Sequence, residues 1–335
     1  SSDKSVVVHV ITKKGKGYLP AENDKAGKWH GTEPFNISDG SSKTSPNSKI
    51  SWSQVLADHV EKWMEKDEDI VAITPAMING SALQSIFQHY PQRSFDVGIA
   101  EEHALTFTAG LSISRKKPFI SVYSSFIQRA YDQINHDITR MNLPCLIAVD
   151  RAGIVGSDGP THHGVFDLSI LTPLPHIVIF APKDAKEAKL YINTVFRNFY
   201  HPYIIRIPRG KVENSILDLN ATIEIGSWTI EGVKENYDIT IICYGDNVDR
   251  ILTLQQQSFK IRVINARFIK PLDQNILKSV MNDDKPVIVY ETDLKLGSLG
   301  EHIASFCNDY GISKKFKHIA INDHYSPQGS LDDIY

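Results

Sequence analysis

Cysteine is scarce in this chain: Cys145, Cys243 and Cys307 are the only three, far apart and inside apolar runs. An odd number so spaced fits buried thiols in a reducing compartment better than a disulfide framework or a zinc site. Net charge is nearly absent, −3 from 36 basic and 39 acidic residues, which argues against nucleic acid or an anionic membrane surface as partner. No apolar run approaches the roughly 20 residues that span a bilayer. The start, "SSDKSVVVHV", has neither the secretion-signal nor the transit-peptide pattern, so any address is expected to have been removed or to lie outside this chain. Nucleotide fingerprints are also missing. "TKKGKGY" lacks the GxxxxGK[ST] spacing, and no GxGxxG joins a strand to a helix. Its lysines read as a solvated face.

What is present is enough apolar sequence for two cores, since single cores stop growing near roughly 250 residues. "DIVAITPA", "FDVGIA", "KPFISVYS", "PCLIAVD", "HIVIFAP" and "YIIRIPR" are short apolar runs separated by helix-like segments. Such a succession predicts a parallel sheet covered on both faces. "SWSQVLADHVEKWMEKDED" predicts a capped helix with Val55, Leu56, Val60 and Trp63 along one stripe. "KVENSILDLNAT" loses the pattern and links to "DITIICYG", "IRVINARF", "KPVIVYET" and "KHIAIND", a second, smaller α/β domain. The fold class is therefore α/β, two consecutive domains with mostly parallel sheets. Ahead of them "SVVVHVIT" reads as a lone strand, the tail of a domain whose body is not here, and the Ser/Asn/Lys-rich residues 38–49 as a linker.

Chemistry-bearing residues gather after the predicted strands. In "FDVGIAEEHALTFTAG", Phe95, Val97 and Ile99 alternate as in a strand and Ala104, Leu105, Phe107, Thr108 and Leu111 recur at helical spacing, so Glu101 and Glu102 lie at a strand-to-helix junction. Acids there fit a ligand site at a sheet rim, or simply a first helical turn that offsets the helix dipole. Tyr123 and Arg129 follow "FISVYSS"; Arg151, Asp158, His162 and His163 sit among the glycines of "RAGIVGSDGPTHHG"; Arg209 follows "IIRI". Arginines at such a rim suit a phosphorylated or carboxylated ligand, although Arg129 and Arg151 also read as structural ion-pair partners. His162, His163 and Asp158 do not make a metal set, and no metal ligands are assigned.

These strings, with "HVITKKGKGYLPAE", "APKD", "IPRG" and "ARFIKPLD", occur in an order that resembles the 1-deoxy-D-xylulose-5-phosphate synthase family over nearly the whole chain. The most specific parts are "YSSFIQRAYDQ" and "DRAGIVGSDGPTHHG". The resemblance implies a transketolase-like architecture: residues 1–37 as the end of a diphosphate-binding domain, 38–49 as linker, 50–215 as the pyrimidine-binding domain and 222–335 as the C-terminal domain. It implies thiamine diphosphate and Mg2+ as cofactors, with the Mg2+ ligands in an N-terminal region that this chain lacks. The family's GDG-to-Asn element is absent, as is a final helix after "HYSPQGSLDDIY", so the chain is expected to be part of a longer enzyme.

The implied reaction is decarboxylation of pyruvate and condensation with D-glyceraldehyde 3-phosphate, giving 1-deoxy-D-xylulose 5-phosphate for non-mevalonate isoprenoid synthesis. Residue by residue, Glu101 matches the glutamate that hydrogen-bonds the cofactor's aminopyrimidine, and Phe126, Met77 and Lys13 match cofactor-side positions. Tyr123, Arg151 and Arg209 match positions that bind the acceptor's phosphate, while Asp158 and Arg129 match substrate-side positions. His162 and His30 match acid–base positions, and Glu102 stands where relatives often carry glutamine. Partners implied are the two substrates, a second copy of the chain and the missing N-terminal segment, with neither nucleic acid nor membrane. The Lys, Asn and Ile content points to a plastid-bearing parasite, with a bacterial cytoplasm as alternative. Rival readings are the beta subunit of a 2-oxo-acid dehydrogenase, which leaves residues 1–37 without purpose, a transketolase, which lacks the "RAGIVGSDGPTHHG" type of loop, and a catalytically silent interaction module, against which the joint retention of Glu101, Arg151, His162 and Arg209 argues.

Overall fold

The computed structural model describes residues 3–24, 29, 32, 34–41, 49–254 and 260–334. The chain divides into two compact units, Ser1–Ser48 and Lys49–Tyr335. In the first, the helix Leu19–Glu22 is followed by an aromatic cluster, Trp29 lying edge-on to Tyr18 at 5.0 Å and to Phe35 at 4.7 Å. The predicted strand "SVVVHVIT" is not one: Ser5–Lys13 pairs with no strand among the described residues, and Val7 is 94% exposed. A β-run without a partner has no ladder to join, however high its propensity. Most of the predicted linker, residues 42–48, lies outside the described residues.

The second unit holds both predicted sheets. Its fourteen described strands, in chain order, are β1 (Lys49–Ser51), β2 (Ile70–Thr74), β3 (Ser94–Asp96), β4 (Lys117–Tyr123), β5 (Cys145–Ala152), β6 (Val178–Phe180), β7 (Pro202–Pro208), β8 (Lys211–Glu213), β9 (Thr229–Gly232), β10 (Ile239–Cys243), β11 (Ile261–Asn265), β12 (Phe268–Lys270), β13 (Val287–Leu294) and β14 (Lys317–Ile321). Seven make one sheet in the order β12-β6-β7-β5-β4-β2-β3, and five make another, β14-β13-β10-β11-β9. β2 to β7 run parallel, as the continuous apolar runs predict. Two edge additions were invisible in the sequence: β9 lies antiparallel on β11, and β12 crosses from the second region to extend the first sheet antiparallel to β6. β1 and β8 pair antiparallel and tie the two ends of the first region together.

Ser51 caps the helix Trp52–Met64 by accepting from the Gln54 amide at 3.1 Å, and the predicted stripe Val55, Leu56, Val60 and Trp63 is buried. This helix packs on Ala185–Arg197, where buried Asn193 accepts from Trp63 Nε1 at 2.9 Å and donates to the carbonyls of Asp218 and Ala221. That satisfied amide pins the connection between the two sheets. All three cysteines are buried and unpaired by disulfide, as expected; burial pushes Cys145 up to about 12.

The chain leaves β2 for the edge strand β3 and then returns to β4 on the other side of β2. Such a reversal opens a crevice at the carboxyl ends of the two strands, the place where open α/β sheets receive ligands. Met77 and Gly80 follow β2, Tyr123 ends β4, and Arg151 lies near the end of the neighbouring β5.

Candidate active site

β3 is shorter than its alternation predicts: it ends at Asp96, Gly98 turns at φ +75°, and Ile99 is 76% exposed. The chain then enters the helix Glu101–Ile113, whose N-cap, Ala100, offers no side-chain acceptor. Glu101 faces inward, 2% exposed, whereas Glu102 next to it is half in water. Glu101 Oε2 is buried and accepts no hydrogen bond. The Arg129 guanidinium approaches it at 3.3 Å and Glu102 at 4.0 Å, yet this approach is an ion pair without hydrogen-bond alignment. A buried polar atom left so costs about 1–3 kcal/mol. Arg129, expected on the substrate side, is thus paired with the acidic helix start.

The remaining predicted residues form a second cluster. Tyr123 is buried, and burial pushes its phenol up to about 12, so it stays a hydroxyl donor at neutral pH. Its ring carries the Arg151 guanidinium at 4.1 Å on one side and stacks with Phe126 at 5.8 Å. Phe126 in turn meets the His162 ring edge-on at 5.7 Å, and His162 Nδ1 is 2.9 Å from the Thr161 hydroxyl. Arg151 Nη1 and Arg209 Nη1 converge on one oxygen, Asp158 Oδ2, at 3.1 and 2.8 Å. Arg209 also donates to the Val155 carbonyl at 3.1 Å and the Ser157 hydroxyl at 2.9 Å. Met77 belongs to the same wall: a Cβ on Gly80 would lie 2.7 Å from Met77 Cε and 2.3 Å from Tyr123 Oη.

The glycine-rich loop after β5 is built to hold these groups. Gly153 and Gly164 exchange backbone hydrogen bonds at 2.7 and 2.8 Å, and a Cβ on Gly164 would meet the Arg151 carbonyl at 2.3 Å. His163 is structural: Nδ1 accepts from the Val155 amide at 3.1 Å, which leaves Nε2 to donate to the Pro327 carbonyl, also at 3.1 Å. Arg151 itself has φ +57°, a strained value for a residue with a side chain. Asp150 holds it there. Its Oδ1 accepts the Arg151 amide at 2.7 Å and its Oδ2 accepts the Ser53 hydroxyl at 2.6 Å. Burial pushes Asp150 up to about 6.

Sequence reasoning named Tyr123, Phe126, Met77, Arg151, Asp158, His162 and Arg209 as site residues, and the fold brings them together. It gave no role to Ser53, Asp150 or Gly80, and it weighed His163 only as part of a metal set that it rejected. The only signal available was the position of Asp150 at a strand end directly before an arginine. Lys13 belongs to the first unit, where its ammonium pairs with Glu22 at 2.7 Å. His30 lies outside the described residues. Among the described residues no group of three His, Cys, Asp or Glu side chains could hold a metal ion, and no helix is long and apolar enough to cross a membrane. A recess of about 450 Å³ among Lys278, Asp283, Tyr310 and Lys314 contains none of the clustered residues.

Comparison with known proteins matches residues 48–214 to the family "Transketolase, pyrimidine binding domain" and 229–335 to "Transketolase, C-terminal domain". The chain is similar to the 1-deoxy-D-xylulose-5-phosphate synthase of Lysinibacillus sphaericus, 43% identical over 98% of this chain and 53% of the relative. The corresponding enzyme of Bacillus licheniformis is also 43% identical, over 97% of this chain and 52% of the relative. The chain therefore spans about half the length of the curated relatives it matches. Both relatives are bacterial, and they lend the plastid expectation no support. Among solved structures, a split-gene transketolase described as an inactive beta4 tetramer superposes with a TM-score of 0.67 at 24% identity, covering 82% of this chain and 89% of that one. Transketolase from Pichia stipitis in complex with sedoheptulose 7-phosphate gives 0.66 at 15% identity, over 86% of this chain and 43% of that one.

Proposed function

This chain belongs to the transketolase family, in its 1-deoxy-D-xylulose-5-phosphate synthase branch, and from that premise we propose that it supplies the pyrimidine side and the acceptor side of a thiamine diphosphate-dependent synthase. The reaction joins pyruvate, with loss of CO2, to D-glyceraldehyde 3-phosphate, forming 1-deoxy-D-xylulose 5-phosphate. The observation that carries the reading is the buried Glu101 carboxylate with an oxygen that accepts no hydrogen bond. A protonated or imino ring nitrogen is the donor such an oxygen lacks, so the residues present fit the cofactor.

Thiamine diphosphate, when bound, supplies the electron sink for decarboxylation. Glu101 would hold its aminopyrimidine, and Phe126 and Met77 would pack beside it. Arg151 and Arg209 take the acceptor's phosphate, a dianion suited to two guanidinium groups, and Tyr123 donates its hydroxyl to the same ligand. Asp158 lies on the acceptor side, paired with both arginines. His162, on the rim beside Phe126, moves a proton at the acceptor's carbonyl oxygen. Arg129 sets the charge around Glu101. Lys13 and His30 keep, as proposals, the diphosphate-side and acid–base roles that the resemblance implies.

The relatives match over 98% of the chain while the two domain families begin at residue 48, which supports reading residues 1–37 as the end of a diphosphate-binding domain. The same match supports 50–215 and 222–335 as the other two domains. The Mg2+ ligands and the remainder of that first domain would come from the other half of the enzyme. The assembly we propose is a homodimer, and the compartment a bacterial cytoplasm. The test is to join this chain to the N-terminal half of the Lysinibacillus sphaericus relative and measure CO2 release from pyruvate with thiamine diphosphate and Mg2+. Release that rises with D-glyceraldehyde 3-phosphate and yields the five-carbon product is expected. A folded, cofactor-binding hybrid that ignores the acceptor would overturn the reading.

A further inference from the structure

The arginine pair already holds an anion, and that anion belongs to the chain itself. Asp158 Oδ2 receives both guanidinium groups, the arrangement that a phosphate oxygen would enter. Each arginine has a second anchor that does not depend on Asp158. Arg151 rests on the Tyr123 ring, and Arg209 is tied to the Val155 carbonyl, which precedes the turn that carries Asp158, as well as to the Ser157 hydroxyl within that turn. The three charged side chains are 26%, 33% and 27% exposed for Arg151, Arg209 and Asp158, so Asp158 has a path to water. The turn that carries it, Gly156–Asp158, opens on Gly156 at φ +72° and is followed by Gly159 at φ +75°, conformations that glycine reverses at little cost.

We propose that Asp158 is an internal competitor for the acceptor's phosphate: it occupies the Arg151–Arg209 pair until a dianion displaces it, and so makes the site selective for phosphate over carboxylate. This rests on reading that pair as the phosphate site. A tethered carboxylate acts at an effective concentration on the order of millimolar or above. A free monocarboxylate, pyruvate included, brings the same single charge and gains nothing by exchange. A phosphate brings up to two charges and three acceptor oxygens, and wins. Asp158 thereby keeps the first substrate away from the subsite of the second.

The test uses the full 335-residue chain with inorganic phosphate and acetate as probes, titrated by calorimetry and phosphorus NMR. Asp158→Asn is expected to bind phosphate about tenfold more tightly than the wild type and to gain measurable acetate binding; Asp158→Ser, a second neutral variant, should behave alike. Adding Arg209→Ala to either should abolish both gains. Phosphate binding that is unchanged or weaker in both neutral variants, but still lost with Arg209→Ala, would overturn the competitor role and make Asp158 a scaffold for the arginines. Phosphate affinity indifferent to Arg209→Ala in every background, or no phosphate binding at all, would instead sink the reading of the arginine pair.

Discussion

Glu101 opens the helix Glu101–Ile113, and Glu291, on β13, closes the start of the helix Leu299–Asp309; each is 2% exposed. Their oxygens are treated differently. Glu291 accepts from the Tyr244 hydroxyl at 2.9 Å, the Ser298 hydroxyl at 2.7 Å, the Leu299 and Gly300 amides at 3.1 and 2.9 Å, and His318 Nε2 at 2.6 Å. Glu101 Oε2 accepts no hydrogen bond, with the Arg129 guanidinium beside it at 3.3 Å. The Glu291 network runs on through Tyr244 to Asp293, which receives Arg206 at 2.8 Å; Arg206 also pairs with Asp167 at 2.5 Å. This chain of buried charge joins β7 of the large sheet to β13 of the small one. Burial alone therefore does not mark a site. A buried carboxylate whose acceptors are filled is scaffold, and one left wanting is a candidate for a ligand.

The largest expected effect lies in the satisfied network. Arg206→Ala leaves two buried carboxylates without their cation and should destabilise the chain by about 3–5 kcal/mol, read by denaturant unfolding; a loss below about 1 kcal/mol would mean the network is not scaffold. Asp150 is the intermediate case, buried but with both oxygens accepting. Its folded pKa, pushed up to about 6, lies above the roughly 3.9 of an unfolded aspartate. The fold thus favours the neutral form, a contribution complete below about pH 4 and lost as pH rises through 6. Relative to Asp150→Asn, which does not titrate, wild-type stability should fall by up to about 3 kcal/mol between pH 4 and pH 7. A flat difference would contradict it.

On the ligand side, Arg209→Ala in the joined enzyme should raise KM for D-glyceraldehyde 3-phosphate by about 10–100-fold, the worth of a charged hydrogen bond, and leave KM for pyruvate nearly unchanged. Equal effects on both substrates would remove its assignment to the phosphate. A change of similar size is expected at the crevice wall. Gly80→Ala forces a Cβ within 2.3 Å of Tyr123 Oη and should cost about 1–3 kcal/mol of stability while displacing that phenol; an unaltered acceptor KM would show that Tyr123 does not touch the acceptor.

Much of this was legible in the chain. The strands Ile70–Thr74, Lys117–Tyr123 and Cys145–Ala152 are built on largely apolar runs, the pattern that a strand buried on both faces leaves. β9 and β12 were not, because three- or four-residue edge strands are decided by the sheet they join and not by their own periodicity. The alternation that extends to Ile99 misled, since Gly98 turns the chain before a ladder can form. Arg151, Asp158 and Arg209 stood out as charge among glycines at strand ends. Ser53 did not: it meets Asp150 across 97 positions of sequence, and only the fold joins them. Glu101 and Glu102 look alike in the string; which one turns inward follows from how their helix packs.

The most direct test replaces one oxygen by nitrogen at each of the two glutamates. Glu101→Gln and Glu291→Gln, made in the joined enzyme, would be compared for acceptor-dependent CO2 release and for melting temperature. Glu101→Gln is predicted to lose at least about 100-fold in turnover with its melting temperature unchanged, and Glu291→Gln to melt several degrees lower while its folded fraction still turns over. Near-normal turnover by Glu101→Gln, or destabilisation equal to that of Glu291→Gln, would contradict the account.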